Sequence, residues 1–236
     1  MLLLGTTDEQ YEGDPAEVSV GDKDIAQILD EAAFSVRDQQ LQRDLITYSF
    51  AGLRVLPGGP GDTAKAKRET VVTEGRGGML SVAGGKWTTF RHIGRTVMQK
   101  LESLPGRPLG DDFEPISTLP KRLPLPGIAN PRAVAHRLVV DGPAPGPRMA
   151  PDTAKHLATH YGSLAFDIAR LANENPELGE RVHPDAPEIW AQVVYARDHE
   201  WAETADDVLR RRTTLTIRGL ATDEVRGKVQ DLLDKR

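Results

Sequence analysis

The pattern of apolar and polar positions changes character about halfway along the chain. In the first part the apolar residues fall in short runs bounded by glycine or proline. Residues 1–7, 45–56 and 79–83 read as strands on this basis. Residues 70–73 and 79–83 read as a strand pair joined through the glycines of residues 75–78, with 79–83 the size of a buried strand. Two helical patterns lie among them. Ile25, Ile28, Leu29, Ala32 and Ala33 recur at the spacing of one helix face, with Asp22 and Asp24 suited to its positive N-terminus. Ile93, Val97 and Leu101 do the same for a helix over about 88–104. From 105 to 131 proline and glycine dominate, which reads as a linker. Beyond it the period is helical throughout, over about 131–140, 151–173, 187–204, 206–213 and 222–233, with Pro151 and Pro187 suited to first-turn positions. The expected organisation is an α/β or α+β piece over 1–110 with antiparallel strands, a linker over 111–130, and a small all-α domain over 131–236.

Composition narrows the function. Hydrophobic residues make up 39% and charged residues 28% of the 236 residues, the balance of an ordinary globular chain. A net charge of −5 argues against nucleic acid as the main partner, since phosphate-backbone binding calls for a basic surface. The chain has no cysteine, so disulfides, thiolate metal sites and thiol nucleophiles are excluded, and a cytoplasmic setting is the expectation. No run approaches the ~20 apolar residues of a membrane-spanning helix. A peripheral contact with a membrane stays open.

The strongest chemical signal is the turn Gly84-Gly85-Lys86. A strand passing through two glycines into a helix leaves backbone N–H groups at the turn. Those groups, the helix dipole and the Lys86 ammonium together favour an anion or a developing negative charge. The turn does not satisfy the P-loop pattern, because position 80 is leucine. The bland alternative is a tight turn with a solvated lysine. Arg54, at the end of an apolar run, suits a phosphate or carboxylate in a fork, although a surface arginine is the commoner role. Hydroxyls in Gly5-Thr6-Thr7-Asp8 more often cap a loop than bind a ligand. His156 and His160 have metal-ligand spacing, but a solvated helix face is the stronger reading, since no glutamate follows His156 to complete a zinc-protease motif. Arg210-Arg211-Arg212 reads first as helix ion pairing with Asp206 and Asp207, and only second as a contact for an anionic headgroup. A Gly-x-Gly-x-x-Gly dinucleotide fingerprint is absent.

Several of these segments, in order, resemble the C-terminal part of the FAD-dependent glycerol-3-phosphate dehydrogenases, the aerobic respiratory family. They are Leu4-Gly5-Thr6-Thr7-Asp8, Tyr48-Ser49-Phe50-Ala51-Gly52-Leu53-Arg54, the stretch from Leu80 through Gly84-Gly85-Lys86 to Arg91, Tyr161-Gly162-Ser163, Asp198-His199-Glu200-Trp201-Ala202, and Asp206-Asp207 through Thr213. The resemblance implies part of a flavin and substrate domain followed by a helical cap. It implies oxidation of sn-glycerol 3-phosphate to dihydroxyacetone phosphate, with FAD taking the hydride and membrane quinone taking the electrons. Carried over by motif position, Arg54 binds the substrate phosphate and Lys86 lies between substrate and flavin. Gly84, Gly85, Lys86 and Thr88 line the cofactor.

Two departures qualify the match. Val55 stands where the family usually has proline. No residue of this chain fills the role of the catalytic base, which the resemblance puts in an N-terminal half together with the ADP-binding motif. The expectation is therefore a C-terminal portion, inactive alone, peripheral on the inner face of the cell membrane, and compatible with a homodimer. A non-catalytic or complementing subunit, an interaction module, and part of an oxygen-dependent glycerol-3-phosphate oxidase are the alternatives.

Overall fold

The computed structural model describes residues 2–36, 41–54, 70–104, 126–141 and 149–235. The glycine-rich loop at 57–61, Val55 and nearly all of the expected linker lie outside them. The chain divides into two compact units. A mixed unit joins Leu2–Arg43 to Phe50–Leu123, and a helical unit joins Asp44–Ser49 to Pro124–Arg236.

In the mixed unit, α1 (Asp22–Ser35) follows the predicted face. Ile25, Ile28, Leu29 and Ala32 are half-buried, while Ala33 and Phe34 are exposed. Its entry is fixed by Asp24, whose Oδ2 accepts the Gly21 N–H at 3.0 Å and whose Oδ1 accepts the Thr7 hydroxyl at 2.8 Å. The expected hairpin forms. Strands β1 (Thr70–Glu74) and β2 (Leu80–Gly84) pair antiparallel, with Thr70 opposite Gly84, Val72 opposite Val82 and Glu74 opposite Leu80. The reversal needs left-handed backbone at Gly77 and Gly78, and the Gly75 N–H closes it on the Met79 carbonyl at 2.7 Å. A 3₁₀ turn (Trp87–Thr89) leads into α2 (Phe90–Glu102), on which Ile93, Val97 and Leu101 are half-buried as their spacing predicts.

Three expectations fail here. Residues 2–7 and 46–54 carry no strand, and a 3₁₀ turn (Arg43–Leu45) occupies the start of the second run. A strand exists only where a neighbour satisfies its N–H and C=O groups, and among the described residues neither segment has one. The run at 79–83 is not buried either: Val82 is 46% and Met79 62% exposed. Two strands make one sheet, and no described residue of this unit is fully buried.

The helical unit holds the core. It contains α3 (Pro131–Val140), α4 (Pro151–Tyr161), α5 (Ala165–Glu174), α6 (Trp190–His199), α7 (Ala205–Leu209) and α8 (Asp223–Asp234). Prolines open α3 and α4, and Asn130, Thr204 and Thr222 cap α3, α7 and α8 through their side-chain oxygens. The single helix expected over 151–173 is two helices, because Gly162 takes φ +56° and turns the chain through a 3₁₀ step (Gly162–Leu164). Pro187 does not open a helix; α6 begins later, at Trp190, after an isolated bridge between Arg181 and Ile189.

Two apolar clusters form. Leu138, Leu157, Ile168 and Ile189 centre one; Trp190, Val193, Leu209 and Val229 centre the other. Helix α6 serves both and is buried continuously from Trp190 to Ala196, as a helix enclosed on all sides must be. Each fully buried leucine or isoleucine contributes about 1.5–3 kcal/mol.

Candidate functional site

The Gly84-Gly85-Lys86 turn is built by the hairpin and α2. Gly84 and Gly85 adopt φ +78° and +83°, a region that side-chain-bearing residues rarely enter. Gly85 also lacks room for a side chain. A Cβ there would stand 2.6 Å from both Ile93 Cδ1 and Thr70 Oγ1. Its glycine therefore lets α2 pack against β1, which holds the turn in place. Lys86 caps the following 3₁₀ turn, its carbonyl accepting the Thr89 N–H and the Thr89 hydroxyl, each at 2.9 Å.

The electrostatics of the turn are one-sided. Neither the 3₁₀ turn nor the first turn of α2 carries an acidic residue. By contrast, α1, α5, α7 and α8 all place carboxylates at their positive ends. Lys86 and Thr88 are exposed, and among the described residues the Lys86 ammonium makes no ion pair. Trp87 is 89% exposed, with its ring 6.4 Å from that of Phe90. The turn thus presents a cation, an uncompensated helix N-terminus and a bare aromatic pair. Such a surface can accept a flat group that carries negative charge.

Arg54 behaves differently. It pairs with Asp8, Nη1 to Oδ2 at 2.6 Å, with both side chains more than a third exposed. An exposed pair of this kind is worth at most about 1 kcal/mol and exchanges readily for a stronger anion. Gly84, Gly85, Lys86 and Thr88 are brought together by one turn, while Arg54 lies on a separate segment and pairs with Asp8. The Thr7 hydroxyl donates to the Asp24 carboxylate rather than capping its own loop backbone as expected; with the Gly21 N–H it lowers the pKa of that carboxyl.

The helical unit resolves the other sequence signals. Arg211 pairs with Asp207 at 2.9 Å, and Arg212 reaches the Asp207 carbonyl and the carboxylate and carbonyl of Glu200. Helix and loop pairing takes up Arg211 and Arg212 of this basic run. His160 is exposed, its Nδ1 bonding the His156 carbonyl at 2.9 Å, but His156 is half-buried against Gln192, so the expected solvated face holds for His160 alone; no cluster of metal-ligating side chains exists among the described residues. Sequence reasoning missed the buried acid Glu188. It is fully enclosed, with Oε1 accepting the Thr214 hydroxyl at 3.1 Å and Oε2 lying 3.8 Å from Arg218 Nη1. Its partners lie some 26 to 30 positions away, so no local pattern announces it.

Comparison with known proteins gives these geometries a setting. Residues 118–236 match the family model described as the C-terminal domain of alpha-glycerophosphate oxidase. The chain is 32% identical over 222 residues to a glycerol-3-phosphate dehydrogenase of Synechocystis, covering 91% of this chain and 38% of that protein. It is 31% identical over 217 residues to the aerobic glycerol-3-phosphate dehydrogenase of Escherichia coli, covering 89% and 41%. Against the mitochondrial glycerol-3-phosphate dehydrogenase of Macaca fascicularis it is 28% identical over 255 residues, covering 100% and 32%. The chain thus spans about two fifths or less of the length of these relatives. It belongs to the family of the alpha-glycerophosphate oxidase C-terminal domain, and matches the C-terminal part of the glycerol-3-phosphate dehydrogenases.

Proposed function

We propose that this chain supplies one wall of the active site, and the helical domain, of an FAD-dependent glycerol-3-phosphate dehydrogenase. Residues 1–110 form that wall, residues 111–130 the linker and residues 131–236 the helical domain. The observation that carries the reading is the Gly84-Gly85-Lys86 turn: left-handed backbone, an ammonium with no ion pair among the described residues and a helix start with no acidic residue in its first turn, within a chain whose relatives are named for this reaction. Bound FAD supplies the hydride acceptor. Gly84, Gly85 and Thr88 would hold the cofactor, and the Lys86 ammonium would favour negative charge beside it. Arg54 releases Asp8 and takes the substrate phosphate, a stronger partner than one exposed carboxylate. The base that would take the hydroxyl proton would lie outside these 236 residues, and quinone at the inner face of the membrane would be the final electron acceptor. No described helix is long and apolar enough to cross it.

Purified alone, the chain should be colourless and should not oxidise glycerol 3-phosphate. Co-expression with a polypeptide covering the remainder of a relative should restore flavin absorbance and turnover, and Lys86→Gln in that complex should lower kcat/KM at least tenfold. A yellow, active 236-residue protein overturns the need for a second portion. Full activity with Lys86→Gln removes the turn from the chemistry and favours an interaction module. Oxygen consumption without added quinone would identify an oxidase.

A further inference from the structure

One buried polar cluster of the helical unit has no part in the proposed chemistry. Gln192 on α6 is 2% exposed and makes three contacts. Its Oε1 accepts the Ile189 N–H at 3.1 Å, and its Nε2 lies 3.3 Å from both His156 Nε2 on α4 and the Tyr161 hydroxyl at the end of α4. The first contact fixes the other two. Because Oε1 is taken by a backbone N–H, the opposite end of the amide is the NH₂ group, which can only donate. His156 Nε2 must then offer a lone pair.

We propose that His156 is held as a neutral imidazole with its proton on Nδ1, and that this acceptor role is an acid-sensitive latch between α4 and α6. A protonated ring would set N–H against NH₂. Rotating the amide would not help, since it would turn NH₂ against the Ile189 N–H. Either way one buried donor loses its partner, a loss that burial makes costly.

The surrounding charges are consistent with this state. From the loop before α6, the Glu188 carboxylate favours protonation of His156. It is offset by Arg218, from the segment before α8, which lies 3.8 Å from Glu188 Oε2. On α4 itself His160 stacks at 4.3 Å between ring centroids and disfavours a second positive charge. Burial is the largest influence and lowers the ring's affinity for protons. The Tyr161 hydroxyl stays neutral, its pKa pushed up to about 12 by burial, and its oxygen is free to accept from Gln192.

The sign of the pH effect follows. A histidine whose proton affinity is lower in the folded chain leaves the unfolded chain binding more protons. Stability is therefore full above about pH 6.5, the ordinary histidine value, and falls on acidification until the folded ring also titrates. The unfolding equilibrium constant should rise by up to about tenfold per pH unit in that window.

The experiment is NMR of the full 236-residue chain with labelled histidine, paired with denaturation from pH 8 to 5. At neutral pH the His156 ring should show a proton on Nδ1 and a bare Nε2. Its titration should fall below that of the same residue in the urea-unfolded chain. His156→Gln should remove its share of the acid slope. Gln192→Glu should raise the titration of His156 above the unfolded value, because a carboxylate opposite Nε2 rewards protonation. A proton on Nε2 at neutral pH, an unshifted ring in Gln192→Glu, or the same acid slope in His156→Gln overturns the proposal. If either variant fails to fold, the ring tautomer of the wild-type chain decides alone.

Discussion

Replacing Gly162 by alanine should break the joint between α4 and α5. Gly162 stands at φ +56°, ψ −128°, and a Cβ there would lie 1.8 Å from the Gly127 carbonyl oxygen. Two costs add. The backbone conformation penalises any side chain by about 1–2 kcal/mol. The clash is with main chain, so segment 126–130 must move, and with it goes the Ser163 N–H bond to the Gly127 carbonyl at 2.9 Å, about 1 kcal/mol more. Retreat is blocked: Gly127 is itself left-handed, and its own Cβ position stands 2.7 Å from the Tyr161 carbonyl. The total is about 2–3 kcal/mol, which for a domain of this size lowers the melting midpoint by roughly 8–15 °C. Gly219→Ala is the control. Gly219 has φ +70° but open space around its Cα, so it carries the conformational cost alone, about 1 kcal/mol. Circular dichroism melts of both variants and the parent separate clash from strain. A Gly162→Ala midpoint no lower than that of Gly219→Ala would refute the packing argument.

Leu209→Ala, at a position with no exposure in the second cluster, should cost about 2–5 kcal/mol in urea denaturation, whereas Val82→Ala on the exposed hairpin should change it by less than about 0.5 kcal/mol. Arg218→Met leaves the enclosed Glu188 carboxylate without its counter-charge and should cost about 3 kcal/mol, while adding Glu188→Gln should recover much of that loss; a fully additive pair would show that the two do not interact. Asp207 accepts the N–H groups of Thr204 and Glu203 and the Thr204 hydroxyl, which lower its pKa to about 2. Its folded value is depressed, so its contribution is complete above about pH 4 and is lost as pH falls toward 2. Thr204→Val should cost about 1 kcal/mol at neutral pH through the lost cap, and an acid titration followed by NMR should show Asp207 moving back toward the ordinary carboxylate range.

Elements with strong local signals were legible from the chain. The helix over 131–140 has proline at its first position, Asn130 to cap it, and an apolar pair at Val134 and Leu138; the structure has it between those same bounds. The hairpin was legible because glycines at Gly77 and Gly78 permit a left-handed reversal between two short strand-like runs. The strands expected at 2–7 and 46–54 were not, since an apolar run specifies burial but names no partner. The split at Gly162 was hidden as well. A glycine within a helical pattern need not end the helix, and here the Gly127 carbonyl occupying its flank decides the matter.

The same division runs through the chemistry. Lys86, its two preceding glycines and the acid-free start of α2 are contiguous in sequence, although the packing of α2 against β1 at Gly85 holds their turn in place. The pairing of Arg54 with Asp8 is not local, nor is the enclosure of Glu188 by Thr214 and Arg218, nor the orientation of Gln192 between Ile189 and His156. The sequence by itself determined helix faces, caps and the glycine turn, because those depend on neighbours within about one turn of the chain. Only the tertiary structure decided which polar groups are buried together. A hydrogen bond's direction and a charge's counter-charge are set by whatever the fold brings alongside, across tens of residues.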